Sequence, residues 1–89
     1  MSKAKTLENI LSKVIVPQYP ILDGVNVKVM GGAFDIHFFL VSYTVNDTVD
    51  LSLAQEITRE TVSLYNMLGE PQGSDLTVYF YDNKGNFAM

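Results

Sequence analysis

Two glycines, Gly31 and Gly32, join two strand-like runs near the middle of this chain of 89 residues. Tight two-residue hairpin turns need positive φ angles, which glycine adopts without a clash from a Cβ atom. The glycine pair therefore predicts a β-hairpin with a fixed register. In that register, Val27 lies opposite Ile36, four pairs beyond the turn.

This register sorts the hairpin residues into an apolar face and a polar face. Strand side chains alternate between the two faces of a sheet, so every second cross-strand pair is wholly apolar. The apolar face, which is suited to a core, contains Val25, Val27, Val29, Phe34, Ile36 and Phe38. The polar face contains Asn26, Lys28, Asp35 and His37, with Lys28 and Asp35 as a cross-strand pair of opposite charge.

After Phe38 the alternation slips by one residue. Polar residues occupy the odd positions 35 and 37 but the even positions 42 and 44, so the inward set becomes Phe39, Val41, Tyr43 and Val45. Either a β-bulge lies near Phe39, opposite Gly24, or this stretch is covered on both faces. We favour the bulge, because one inserted residue inverts an alternating pattern.

The rest of the chain predicts two helices and one more strand. An apolar stripe with helical spacing follows Thr6, the expected N-cap, and contains Leu7, Ile10, Leu11 and Val14. Ser52 and Gln55 resemble a capping box at the start of a second helix. Its inward side is predicted to contain Leu53, Ile57, Leu64 and Leu68. Alternation over residues 76–81 then predicts a strand.

These elements follow the order αββαβ(β), in which the last strand is the short tail after residue 85. The order indicates one α+β domain spanning residues 1–89. We expect a two-layer sandwich with a mainly antiparallel sheet and two helices on one face. The third strand should run parallel to the second through a right-handed crossover. Its place beside the first or the second strand is left open.

Composition narrows the classes of function. The absence of cysteine excludes thiol catalysis and a cysteine-based zinc site. A net charge of -4, with six basic residues and no basic run, argues against a nucleic-acid partner. The longest apolar run, residues 38–41, is too short to span a membrane. With no signal-like segment at the start, we expect a cytoplasmic protein.

The polar sheet face is the candidate for a ligand-binding or catalytic site, formed by Asp35, His37, Tyr79 and Tyr81. Asp35 and His37 are two residues apart, a spacing compatible with two metal ligands or with a carboxylate-oriented imidazole. Catalytic zinc normally takes three protein ligands, however, and this chain has one histidine. Stacking on the tyrosines would need basic neighbours to bind nucleic acid. We predict no cofactor, no bound metal and no enzymatic activity.

The apolar content of 47% is high for so short a chain. A domain of this size buries only about 60% of its unfolded surface, and two helices cover only one sheet face. We therefore predict a homo-oligomer, with a twofold dimer favoured, whose interface contains Phe39, Val41 and Tyr43. The favoured function is a non-enzymatic structural or protein-interaction module. The alternative is a small ligand-binding domain or enzyme that uses the polar sheet face.

Overall fold

The computed structural model describes residues 2–31, 34 and 36–89. Its elements are, in chain order, α1 (Lys3–Val14), β1 (Leu22–Gly31), β2 (His37–Val45), α2 (Leu51–Asn66) and β3 (Asp75–Asp82). The sheet has the order β1-β2-β3, in which β1 and β2 are antiparallel and β2 and β3 are parallel. The predicted α+β class and element order are confirmed. The third strand lies beside the second, which makes the sheet mixed.

Both helices begin earlier than the apolar stripes indicate. Ser2 caps α1 and Asp50 caps α2, each by accepting a hydrogen bond from the backbone N–H of the third helical residue. The predicted caps, Thr6 and Ser52, lie inside the helices and were wrong. An apolar stripe locates the buried face of a helix, whereas the first turn depends on the capping side chain before it.

The two strands of the hairpin pair in another register than the glycine pair predicts. Val27 lies opposite Val41, not Ile36, so the shift along β2 is five residues. The last pair before the connection is Gly31 with His37, and the connection therefore spans residues 32–36. Because five is an odd number, the shift exchanges the two faces of β2 relative to β1.

Parts of the predicted turn lie outside the described residues. These are Gly32, Ala33 and Asp35, so the structure does not describe the Lys28–Asp35 pair. Lys28 instead lies opposite Leu40. Phe34, which was predicted to face the core, is an exposed residue of the connection with a φ angle of 58°.

The slip in the alternation reflects where β2 begins. The odd-numbered residues of β2 are buried from Phe39 to Val45, on the same side as Val27. Residues before His37 do not belong to the strand, so their parity is irrelevant to it. Neither a bulge near Phe39 nor coverage of both faces is needed. A pairing irregularity does occur, but at the far end of the hairpin, between Leu22 and Gly24.

The hydrophobic core lies between the two helices and this side of the sheet. Its members include Leu7 and Leu11 of α1, Ile57 of α2 and Phe80 of β3. Phe39, Val41 and Tyr43 are at most 1% exposed in the single chain. The prediction that these three residues form an oligomer interface was therefore wrong, because the helices already cover them.

One polar contact crosses the core between β2 and α2. The hydroxyl of Thr61 donates to the Ile57 carbonyl at 2.7 Å and lies 2.6 Å from the hydroxyl of Tyr43. Since the proton of Thr61 is engaged by Ile57, Tyr43 is the donor in the shorter bond. Both buried hydroxyls are thus paired, which removes most of the cost of desolvating them.

Both edges of the sheet are partly closed. At the β1 edge, Glu8 Oε1 accepts a hydrogen bond from the Val27 backbone N–H at 2.9 Å, and Lys5 Nζ lies 3.0 Å from Glu8 Oε2. The Val27 N–H, with help from Lys5, lowers the pKa of Glu8 from its ordinary value. At the β3 edge, the tail returns antiparallel, and the Phe80 N–H donates to the Met89 carbonyl at 2.9 Å.

We expect stability to fall as the pH rises above 10. Burial is the main cause that raises the pKa values of Tyr19 and Tyr43 to about 12. In the unfolded chain both phenols ionise near pH 10. The folded state therefore keeps protons that the unfolded state loses, so stability is full below pH 10 and declines from there to about pH 12.

Urea midpoints at about pH 8 and about pH 11 measure this decline. The decline should be smaller in a Tyr43→Phe variant, which lacks one of the two phenols. Equal declines in the variant and the wild type would contradict the assignment to Tyr43.

Candidate functional site

The sheet face opposite the helices is uncovered in the single chain. This face is shared by even-numbered residues of β1 from Gly24 onward, even-numbered residues of β2 and odd-numbered residues of β3, because they are register partners. We call it the open face. Its apolar and aromatic members are Met30, Phe38, Leu40, Tyr79 and Tyr81, together with Phe87 from the tail.

The apolar side chains of the open face are neighbours. Met30 and Phe38 are cross-strand partners and are 55% and 44% exposed, and Leu40 is two residues further along β2. Single exposed apolar residues are ordinary on protein surfaces, but contiguous patches mark interaction surfaces. The open face is therefore the candidate functional surface of this chain.

The tail after β3 adds an aromatic cluster to the open face. The Asp82 side chain accepts hydrogen bonds from the backbone N–H groups of Lys84 and Asn86, which reverses the chain. The hydrogen bond from the Asn86 N–H is the main cause that lowers the pKa of Asp82 from its ordinary value. Phe87 then pairs with Tyr81 in a short antiparallel bridge. The rings of Tyr79, Tyr81 and Phe87 lie 5.8 to 6.3 Å apart between centroids.

Among the residues that the structure describes, the open face carries one charge of each sign. Lys28 lies on β1, and Asp75 lies on β3 at the register position of Phe38. The two charges lie on opposite edges of the sheet, because β1 and β3 are its edge strands. Lys28 is level with Leu40 and Asp75 is level with Phe38, so the charges are one register step of two residues apart along the strands. The remaining polar members are neutral, namely Asn26, Ser42, Thr44 and Thr77.

The structure separates His37 from the two tyrosines with which it was predicted to form a site. As an odd-numbered residue of β2, His37 lies on the helix side, with its ring 6.0 Å from that of Phe39. Tyr79 and Tyr81 lie on the open face. Asp35, the fourth predicted member, lies outside the described residues. The prediction of one shared polar face was wrong, because it depended on the incorrect register.

His37 instead joins the start of β2 to the loop before β3. Its Nδ1 lies 3.1 Å from Oε2 of Glu70, a buried carboxylate whose Oε1 lies 3.4 Å from Lys3 Nζ. A carboxylate at Nδ1 favours the tautomer with its proton there. The Ser74 hydroxyl accepts from the His37 backbone N–H at 3.2 Å. These contacts tie α1, the loop and β2 together, which is a structural role.

Sequence reasoning missed Phe38 and Phe87 as surface residues. The assumed register assigned Phe38 to the core, and Phe87 follows the last predicted strand. A usable signal was present nonetheless. Beyond the irregularity at Leu22, the inward residues of β1 and those of β2 are odd-numbered, and partners with equal parity require a connection with an odd number of residues. A two-residue turn does not satisfy that condition.

Neither a metal cluster nor a membrane helix is found in the described part of the chain. No three His, Asp or Glu side chains there are grouped to hold a metal ion. No helix among those residues is long and apolar enough to cross a membrane. No protein-family model matches the chain, and no curated protein or solved structure gave a significant match. The open face is therefore the feature of the chain that points to a function.

Proposed function

We propose that this chain is a non-enzymatic interaction module that forms a homodimer through its open face. The supporting observation is the contiguous apolar surface around Phe38 and the aromatic cluster at Phe87, which the two helices leave uncovered. Twisted sheets commonly pack face to face, about 10 Å apart, with their apolar side chains interdigitated. A second sheet would bury this surface in the same way.

The charges favour a second copy of this chain as the partner. A twofold axis parallel to β2 would place β1 of one copy over β3 of the other. Lys28 of each copy would then lie one register step from Asp75 of the other copy, so both pairs form at once. Exposed ion pairs contribute less than about 1 kcal/mol. They would therefore select the orientation, while the apolar side chains supply the affinity.

We expect a dimer at micromolar concentration for the wild type and a monomer for Phe38→Glu. The substitution places a carboxylate where the interface would have to remove it from water without a partner. Because Phe38 is 44% exposed in the single chain, the fold of the monomer should persist. Sedimentation equilibrium gives the mass of each protein, and circular dichroism checks the fold.

Met67→Glu is the matched control. Met67 is 79% exposed and lies at the C-terminal end of α2, which packs on the other side of the sheet. This variant should remain dimeric. A wild type with monomeric mass at about 100 µM would refute the proposal, since specific dimers of this kind bind more tightly. Loss of the dimer in Met67→Glu alone would place the interface elsewhere.

A further inference from the structure

A groove of about 550 Å³ lies between α2 and β3, and its lining includes none of the open-face residues. One wall is apolar and is formed by Ala54, Val78, Phe80 and Met89. The groove falls within the range of volumes that small-molecule sites in proteins occupy, about 300 to 1,000 Å³. It is therefore large enough for a small ligand.

The apolar wall is held in place by the core and by the tail. Ala54 and Phe80 are buried core residues, and Val78 and Met89 pack against that core. The backbone of Phe80 donates to the Met89 carbonyl at 2.9 Å and accepts from the Met89 N–H at 3.1 Å. This wall therefore exists before any ligand binds, which lowers the entropic cost of binding.

The opposite wall is polar and comes from one side of α2. Gln55, Thr58 and Arg59 line it. Their spacing of three and four residues places them on neighbouring positions of the helix surface. They offer an amide, a hydroxyl and a guanidinium group. Within the described part of the chain, Arg59 takes part in no ion pair, so its charge remains available to a ligand.

We propose that this groove binds a small amphiphilic monocarboxylate, with its alkyl chain on the apolar wall and its carboxylate on Arg59. A guanidinium group binds carboxylates through two parallel hydrogen bonds. Among the described residues that line the groove, Arg59 carries the charge, so the groove offers one guanidinium to one carboxylate. A single carboxylate joined to an apolar chain fits both walls and this charge pattern.

The test is a titration of ¹⁵N-labelled protein with sodium octanoate, with 1-octanol as the uncharged analogue. Octanoate should shift the amide signals of Ala54, Thr58 and Val78. Arg59→Gln should weaken octanoate binding by about tenfold or more, because a charge-assisted pair is lost, and should leave octanol binding unchanged. Lys84→Gln, which removes an exposed cation outside the groove, should bind octanoate like the wild type.

A second variant separates the groove from general apolar binding. Thr58→Trp should fill the groove and abolish the binding of both ligands. Octanoate shifts confined to the open face, equal binding by Arg59→Gln, or no shifts at millimolar octanoate would each overturn the proposal. The groove shares no residue with the open face, so the monomeric Phe38→Glu variant should bind octanoate as the wild type does.

Discussion

Replacing Phe39 with alanine should lower the free energy of unfolding by about 3–5 kcal/mol, whereas Phe38→Ala should change it by less than about 1 kcal/mol. The two phenylalanines are adjacent in sequence but lie on opposite sides of β2. Phe39 is buried and contacts the Tyr65 ring edge to face, with 5.3 Å between the centroids. Its removal leaves a cavity in the core, whereas the ring of Phe38 lies on the open face.

Urea denaturation of the two alanine variants measures this difference. The protein should be dilute enough that the wild-type midpoint no longer depends on concentration, so that dimer formation does not contribute. Equal losses of stability, or a larger loss for Phe38→Ala, would contradict the register of the structure. The register based on the glycine pair places Phe38 in the core as well, so it predicts a large loss for Phe38→Ala.

Thr61→Val should destabilise the protein by about 1–3 kcal/mol, and adding Tyr43→Phe should recover most of the loss. The valine keeps the shape of the side chain but leaves the buried Tyr43 hydroxyl without its partner at 2.6 Å. In the double variant both hydroxyls are gone, so no buried donor stays unpaired. Tyr43→Phe alone should cost about 1 kcal/mol, because Thr61 still donates to the Ile57 carbonyl.

A double-mutant cycle from urea denaturation gives the coupling between the two side chains. We expect the two single losses to be non-additive by about 1 kcal/mol or more, as is usual for residues in direct contact. Additive losses would mean that the hydrogen bond between the two hydroxyls does not contribute to stability. Ser63→Ala, at an exposed position of the same helix, controls for the effect of removing a hydroxyl from α2.

The class of fold and the order of elements could be predicted from the sequence because they depend on periodicity. The stripe around Leu7 and Leu11 still predicts a helix, and the alternation around Phe80 still predicts a strand, when the bounds of the element are misplaced by a residue or two. The parallel third strand follows from the helical connection between β2 and β3. These features involve many residues, so no single side chain decides them.

The register could not be predicted in the same way, because it depends on a few residues of one connection. Two glycines offer a tight turn, but the buried side chains of β2 are better matched to Val25, Val27 and Val29 when the connection has five residues. Burial of large side chains outweighs the local preference of a turn. The candidate site was lost with the register, since His37 changed sides and Phe38 became exposed.

The hydrogen bonds made at the two edges of the sheet limit the ways in which copies of this chain can associate. A carboxylate occupies one main-chain donor of the β1 edge, and the tail covers part of the β3 edge. These contacts remove some of the backbone groups through which strands of other molecules could extend the sheet sideways. Association through the open face would bury that face in both partners. Such an assembly would end at two copies, and it would not grow into fibres.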